Sequence, residues 1–437
     1  MKLQLSNKTF YKRHNNELIK YIVNKKSLHI FAYDSFTKID ENLSEKLSFD
    51  IQNIKKNFKE INKKYEVVVL TDVIEQVDDI NLLMSEIKKI MKNDGKLVLS
   101  SINPKYYLLI KIFEILKLKQ KNQKFSYIHN KKIDKVVNGF GFEYIHSSSK
   151  QIFPFKLFNF GNILNLLLES VFFFFNIGIK TYSVFRIQSD IHKEKKLKTI
   201  IVPAKNEEGN LEILFSRIPK HESYEIIFSI GKSSDKTLDI ANKIQQFNTF
   251  HNVVVIEQTK NGKANAVWEA LDISKGEFIA ILDADISVEP ELIPEFFKIL
   301  EENKADFVNG TRLIYEMEHG AMRYLNKLGN RLFQYLISKV LRVDLTDSLC
   351  GTKVFKKDLI LNIKWWQSTY NLYDPFGDFD LLFSSIVTGD KVLELPVHYK
   401  SRIYGKTQIS RFRDGFKLFR YMFKSYLVFT TSKNKTS

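Results

Sequence analysis

Residues 276–290 read GEFIAILDADISVEP, an apolar strand that runs straight into two aspartates one residue apart, Asp283 and Asp285. Two carboxylates held that close repel each other unless a cation lies between them. Hard divalent ions such as Mn2+ and Mg2+ take carboxylate oxygens and leave positions for phosphate oxygens and water, which suits a diphosphate leaving group. The competing reading is a pair of turn or helix-capping aspartates, so the flanking sequence has to decide.

Working outward, the segment 199–203 (TIIVP) is a buried strand ending in Ala204-Lys205-Asn206-Glu207-Glu208, with further strands at 225–230, 252–257 and 277–282. Helical stretches separate them, so this half of the chain predicts an α/β layer. A second α/β layer is predicted upstream. There, 27–33 (SLHIFAY), 65–70 (YEVVVL) and 96–101 read as buried strands, with helical periodicity over 79–91 and a turn at Asn93-Asp94-Gly95. The charge-rich stretch 192–198 (HKEKKLK) has no apolar periodicity. The expected domains are therefore 1–190 and 198–437, joined by a linker at 191–197.

Composition narrows the class. A chain of 437 residues with 44% hydrophobic and 27% charged residues buries more than one core. One cysteine, Cys350, excludes an intramolecular disulfide and fits a reducing compartment. The first twenty residues carry no apolar segment of the signal-peptide type. The most apolar run, 164–179 (LNLLLESVFFFFNIGI), is short for a spanning helix and contains Glu169. It is expected to pack into its domain, with a membrane-surface helix as the alternative. The formal charge of +17 divides into +12 over 1–190 (31 basic, 19 acidic), −4 over 191–399 (26 and 30) and +9 over 400–437 (10 and 1). The tail is the basic outlier, yet it matches no nucleic-acid module, so nucleic acid is not an expected partner.

The run VVVLTDVIEQVDDINLLMSEIKKIMKNDGKLVLSSINP, residues 67–104, resembles the second half of a class I S-adenosylmethionine (SAM) methyltransferase. That family binds its cofactor on a glycine turn after the first strand, where a Cβ would collide with the ligand. This chain has no glycine before Gly95 and reads Ala32-Tyr33-Asp34-Ser35 at that place. A degenerate methyltransferase-like domain, serving as scaffold, docking surface or acceptor platform, is expected, and SAM is not an expected cofactor.

Six stretches between residues 198 and 425 together resemble the family 2 nucleotide-sugar glycosyltransferases of the GT-A fold. They are VPAKNEEGNLE, KNGKANAVWEAL (260–271), LDADISVEP, TDSLCGTKVFKKDLI (346–360), DPFGDFDLLF (374–383) and ELPVHYKSRIYGKTQISRFRDG (394–415). The resemblance extends to polyprenyl- and dolichyl-phosphate sugar transferases. It implies a metal-dependent transfer of sugar from a nucleotide-diphosphate donor to a glycan or polyprenyl-phosphate acceptor.

It also implies roles for particular residues. Pro203, Asn206, Glu207, Asp235 and Asp283 would contact the nucleotide at the carboxyl ends of the strands. Asp285, with Asp283, would hold Mn2+ or Mg2+. Lys263 would reach a phosphate or ribose, and Arg312, Arg402 and Lys406 would supply further positive charge toward phosphate. Asp378 is the expected general base with Asp380 second; a lipid-phosphate acceptor would need no base. Many relatives read D-D-G-S-x-D-x-T after the second strand, but this chain reads Ile230-Gly231-Lys232-Ser233-Ser234-Asp235-Lys236-Thr237, so the nucleobase stays open.

In the tail, Lys417, Arg420 and Lys424 share a helical face beside Phe416, Phe419, Phe423 and Tyr426. Such a helix suits an anionic membrane surface, or it packs on the catalytic domain. The expected location is cytoplasmic, with peripheral contact at the inner face of the membrane. Two other function classes stay open: a SAM-dependent methyltransferase acting on a glycan or lipid intermediate, and a noncatalytic nucleotide-sugar-binding assembly protein.

Overall fold

The computed structural model describes residues 7–32, 44–49, 54–59, 61–115, 136–153, 160–172, 175–188, 196–315, 324–374, 376–400, 402, 404 and 411–430. The chain divides into two compact units, one of 1–189 together with 426–437, the other of 190–425. The last twelve residues thus group with the first unit.

The N-terminal unit is built on a six-stranded sheet in the order β2-β1-β3-β4-β6-β5. Its strands are β1 (Ser27–Ala32), β2 (Glu45–Phe49), β3 (Tyr65–Thr71), β4 (Met91–Ile102), β5 (Phe142–Lys150) and β6 (Lys180–Ile187). The first four are parallel, and β6 and β5 close the edge as an antiparallel pair. The predicted turn at 93–95 shows as a jump in register, Tyr65 facing Met91 but Val67 facing Lys96. Val68, Leu70, Leu97 and Leu99 pack on one face with Leu83, Met84 and Ile87 of the helix Ile80–Ile90. That helix starts at Asp79, whose carboxylate accepts the Leu82 amide at 2.9 Å. Helix α1 (Asn7–Ile22) covers the other face through Leu18, Tyr21 and Ile22.

At the carboxyl end of β3, α1 places the fully buried His14 within 3.3 Å of Thr71 Oγ1 and 2.9 Å of Tyr182. His29 approaches the same Thr71 oxygen at 2.8 Å, and Asp72 pairs with Lys180. Burial, with the nearby charge of Lys180 and His29, holds His14 well below the usual imidazole range. The 32–35 segment, where the glycine turn is missing, lies outside the described residues from Tyr33 onward.

Among the described residues of the run 164–179 no large apolar side chain is fully buried. In the helix Phe160–Val171 the side chains turned inward are Asn165 and Glu169, while Phe160, Ile163, Leu167 and Val171 face solvent. The physical reason is local. The carboxamide of Asn165 accepts the Phe153 amide at 2.7 Å, and Glu169 accepts the Gln151 amide at 2.5 Å. Two backbone donors are satisfied this way at the cost of turning the apolar stripe out.

The second unit carries a seven-stranded sheet in the order β13-β11-β12-β10-β7-β8-β9. Its strands are β7 (Lys198–Ala204), β8 (Tyr224–Ile230), β9 (Asn252–Glu257), β10 (Phe278–Ile281), β11 (Phe307–Thr311), β12 (Lys353–Lys356) and β13 (Val392–Pro396). β9, β8, β7 and β10 are parallel; β12 runs antiparallel to both of its neighbours, β10 and β11. The core joins Ile200, Val202, Ile226, Phe228 and Ala280 to Phe296, Phe297 and Leu300 of the helix Ile293–Glu301. Strand order reverses between β7 and β10, and an open α/β sheet places its ligand crevice at the carboxyl ends of such a pair.

The C-terminal helix Arg411–Thr430 buries Leu418, Tyr421, Met422 and Ser425 and exposes Phe416, Phe419 and Phe423. Among the described residues, no helix is long and apolar enough to cross a membrane.

Candidate active site

The loop after β7 and the loop after β8 are fastened to each other by side chains. Asn206, in the left-handed region at φ 54°, donates its amide to Ser233 Oγ (3.1 Å) and accepts the Ser234 amide on Oδ1 (2.8 Å). Asp235 accepts the Glu208 amide at 3.2 Å and the Thr237 amide at 3.1 Å, and Thr237 Oγ1 accepts the Glu207 amide at 2.9 Å. Asn206 and Asp235 therefore shape the two loops, and Pro203 lies half-buried in β7.

Across the strand reversal, β10 ends and Asp283 and Asp285 follow. Lys263 opens the helix Lys263–Ile273 directly after Gly262, whose φ of 105° is open to glycine. The ammonium of Lys263 lies 2.7 Å from Asp283 Oδ1 and 3.8 Å from Asp378 Oδ2. Burial acts to raise the Asp283 pKa, but Lys263, with Arg312 and Arg402 behind it, more than offsets that, so the carboxyl lies below its ordinary value. Burial acts on Lys263 to favour loss of its proton, and Asp283 and Asp378 reverse it, leaving the pKa raised and the lysine charged.

Asp285 is held differently. Its Oδ1 accepts the Ser287 amide (3.1 Å) and hydroxyl (2.7 Å), and its Oδ2 accepts Arg402 at 2.6 Å. The other guanidinium nitrogen of Arg402 lies 3.5 Å from Glu207 Oε1. Burial, and then the negative charge of Asp285 and Asp283, raise the Glu207 pKa, with Asn210 and Arg402 acting against them. Between the aspartates and Ser287, the buried Ile286 sits at φ 56°. A β-branched residue there is strained, and backbone strain of about 1–3 kcal/mol persists only where packing enforces it.

Two expected site residues, Arg312 and Asp380, find their partners outside this cluster. Arg312 makes a two-point pair with the buried Asp347 at 2.7 and 3.0 Å and stacks 5.0 Å over the Tyr399 ring. Asp380 is fully buried and saturated by Tyr421 (2.6 Å), Gln367 (2.7 Å) and the Asp374 amide (3.0 Å). Burial raises its pKa. On geometry, Asp378 faces the lysine and Asp380 faces the core. Lys406 lies outside the described residues.

Four residues within the quoted stretches had not been singled out. A Cβ on Gly351 would stand 1.9 Å from Asp283 Oδ2 and 2.9 Å from Lys263 Nζ, so glycine lets the loop before β12 approach the ion pair. Asp347 holds Arg312. Tyr404 lies against Gly209, where a Cβ would come within 2.6 Å of its ring, and donates to Glu208 at 3.1 Å. Asp374 accepts the Phe379 amide at 2.8 Å in the first turn of the helix Asp378–Val387. Burial, then the charge of Asp378, push its pKa up to about 7. Spacing alone carried no signal for any of these.

The donors suit a hard divalent cation. Asp285 offers a carboxylate oxygen already facing a cationic group, the guanidinium of Arg402, and Glu207 adds a second carboxylate beside it. Among the described residues, no three His, Cys, Asp or Glu side chains gather as one ligand set. An ion there would take its other ligands from phosphate and water.

Residues 199–363 match the sequence family described as glycosyl transferase family 2. The C-terminal unit is a family 2 glycosyltransferase domain. Residues 15–147 of the first unit match a methyltransferase domain. Over 233 residues the chain is 27% identical to the dolichol-phosphate mannosyltransferase of Pyrococcus furiosus, covering 51% of this chain and 61% of that protein. Over 231 residues it is 24% identical to a low-salt glycan biosynthesis hexosyltransferase of Haloferax volcanii, covering 51% and 52%. The chain thus spans roughly half to three-fifths of the length of these relatives. Among solved structures, it overlays on Mycobacterium tuberculosis glucosyl-3-phosphoglycerate synthase in complex with Mn2+, uridine diphosphate and phosphoglyceric acid. That overlay has a TM-score of 0.40 and 16% identity over 53% of this chain and 78% of that one, too loose to assign a ligand.

Proposed function

We propose that the glycosyltransferase domain moves a sugar from a nucleotide-diphosphate donor onto a polyprenyl-type phosphate. The observation that carries this reading is the convergence of Lys263, Asp283, Asp285, Glu207, Arg402 and Asp378 at the carboxyl ends of β7 and β10. In the reaction, an acceptor oxygen attacks the anomeric carbon, the bond from that carbon to the diphosphate oxygen breaks, and the nucleoside diphosphate leaves with the electron pair. Asp285, with Glu207 beside it, would hold Mn2+ or Mg2+, which neutralises charge building on the diphosphate. Arg402 would turn from Asp285 to the phosphates, where its fork matches two oxygens at once. Lys263, kept charged by Asp283, orients the donor from the other side. A phosphate acceptor is already anionic, so Asp378 holds Lys263 in place and abstracts no proton.

The name of the Pyrococcus relative supports the lipid-phosphate acceptor. A glycan hydroxyl is the second reading, favoured by the 3.8 Å approach of the Asp378 carboxylate to Lys263, which leaves a carboxylate at the site for base duty. A donor screen read by release of nucleoside diphosphate, with Mn2+ and with or without polyprenyl phosphate, tests the proposal. Asp378→Asn then separates the acceptors. Loss of a general base costs about 10²–10⁴-fold, whereas a phosphate acceptor leaves turnover within roughly tenfold. Absence of release with every donor, lipid present or not, rejects the function.

A further inference from the structure

Two helices of the N-terminal unit hold large apolar side chains in solvent. In the helix Phe160–Val171, Asn165 and Glu169 are among the buried residues, and the stripe Phe160, Ile163, Leu167, Val171 is open to solvent, Phe160 at 71% and Val171 at 66%. The second helix, Tyr107–Ile115, exposes Leu108 at 73%, Leu109, Ile112 and Ile115 at 79%. Both are anchored at one corner of the sheet. β4 and β6 meet there, Ile102 facing Lys180. The Asn103 side chain donates to the carbonyls of Asn176 (3.2 Å) and Gly178 (2.9 Å), and the Tyr106 hydroxyl donates to the Ile177 carbonyl.

A water-facing monomer rarely leaves more than about 300–600 Å² of apolar surface in one patch. Eight large aliphatic and aromatic side chains stand in solvent on these two helices, whose flanking residues Asn103, Tyr106 and 176–178 are tied to one another. Neither helix spans a bilayer, since twelve residues reach only about 18 Å against a hydrocarbon core of roughly 30 Å. Lying flat fits their length, because an interfacial helix sinks one apolar side into the acyl boundary.

Charge decides which surface they meet. Lys111 is exposed on the same helix as Leu108 and Ile112, and Lys105 is exposed in the turn just before it. The sequence that follows, 116–135, holds seven lysines against a single acid, Asp134. A protein partner of ordinary surface has no need of that excess; a bilayer carrying anionic lipid does.

We propose that the face formed by the helices Tyr107–Ile115 and Phe160–Val171 seats the N-terminal unit on an anionic lipid bilayer. The methyltransferase-type fold then acts as a membrane-docking platform, whether or not the C-terminal unit transfers sugar. The test is flotation of the full chain with vesicles of phosphatidylcholine alone and with about a third phosphatidylserine, at low and high salt. Binding to the anionic vesicles is expected, falling at least tenfold in Ile163→Glu/Leu167→Glu and, separately, in Leu108→Glu/Ile112→Glu. Each altered side chain already faces solvent, so circular dichroism and thermal melting are expected to stay at wild-type values. Wild-type chain that does not float, or double variants that float as before, overturns the proposal. So does self-association in sedimentation velocity that the same variants abolish without lipid binding, which would assign the face to a second copy.

Discussion

Replacing Gly351 by alanine places a carbon 1.9 Å from Asp283 Oδ2 and 2.8 Å from its Cγ. The closest ordinary carbon–oxygen contact is about 3.3 Å, so the carboxylate has to retreat by ~1.4 Å or the loop has to lift. If Asp283 retreats, its 2.7 Å pair with Lys263 opens. At an effective dielectric near 20 the Coulomb attraction falls from about 6 to about 4 kcal/mol on that displacement. The two side chains are 27% and 33% exposed, and solvent screening leaves a net cost of roughly 1 kcal/mol. The effect on turnover is larger, because misplacing a binding group by about 1 Å costs on the order of 10²-fold. Gly351→Ala is therefore expected to lower kcat/KM about a hundredfold while the melting temperature moves by only a few degrees. The assay is nucleoside-diphosphate release with whichever donor supports turnover, run beside a melting curve. A double-mutant cycle isolates the cause. In an Asp283→Ala background the collision with the carboxylate is gone and only the flexible end of Lys263, 2.9 Å from that carbon, has to give, so Gly351→Ala should add less than about threefold. An alanine variant with more than half the wild-type activity, or a full second loss in the Asp283→Ala background, refutes the steric argument.

Other expectations follow from the same geometry. Tyr421→Phe removes the hydroxyl that donates to Asp380 and accepts from Trp366, so chemical denaturation should show a loss of roughly 1–3 kcal/mol with kcat unchanged; a kcat loss would return Asp380 to the reaction. Arg312→Met leaves Asp347 buried and unpaired and should destabilise by about 3–5 kcal/mol, read the same way. Burial raises the folded-state pKa of Asp374 to about 7, so its contribution is fully present below the unfolded value near 4 and is lost as pH rises through 7; burial and then Asp72 give Glu75 the same shift and sign. Denaturation between pH 4 and 8 should show stability falling across that window, more gently in Asp374→Asn and Glu75→Gln.

Much of this was legible before any coordinates. The strands at 199–203 and 277–282 are apolar runs ended by polar loops, and buried parallel strands leave few other patterns. What was not legible is direction. Asp378 and Asp380 are two residues apart, so on a helix their side chains diverge by about 200°, and only packing decides which one meets Lys263. The stripe of the helix Phe160–Val171 is plain in the sequence, but periodicity fixes the stripe and not the side that faces water. Asn165 and Glu169, which accept the backbone amides of residues 153 and 151, settle that. Gly351 is silent in sequence because its role is the absence of a side chain beside a residue 68 positions away.

The most direct test of the proposed nucleotide site is calorimetric titration of nucleoside diphosphates into the full chain with and without Mn2+, for wild type and Asp285→Ala. Metal-dependent binding by wild type, weakened at least tenfold in a variant that melts normally, is the expected result. Binding that ignores both the metal and the substitution, or no binding of any nucleotide, would contradict the assignment.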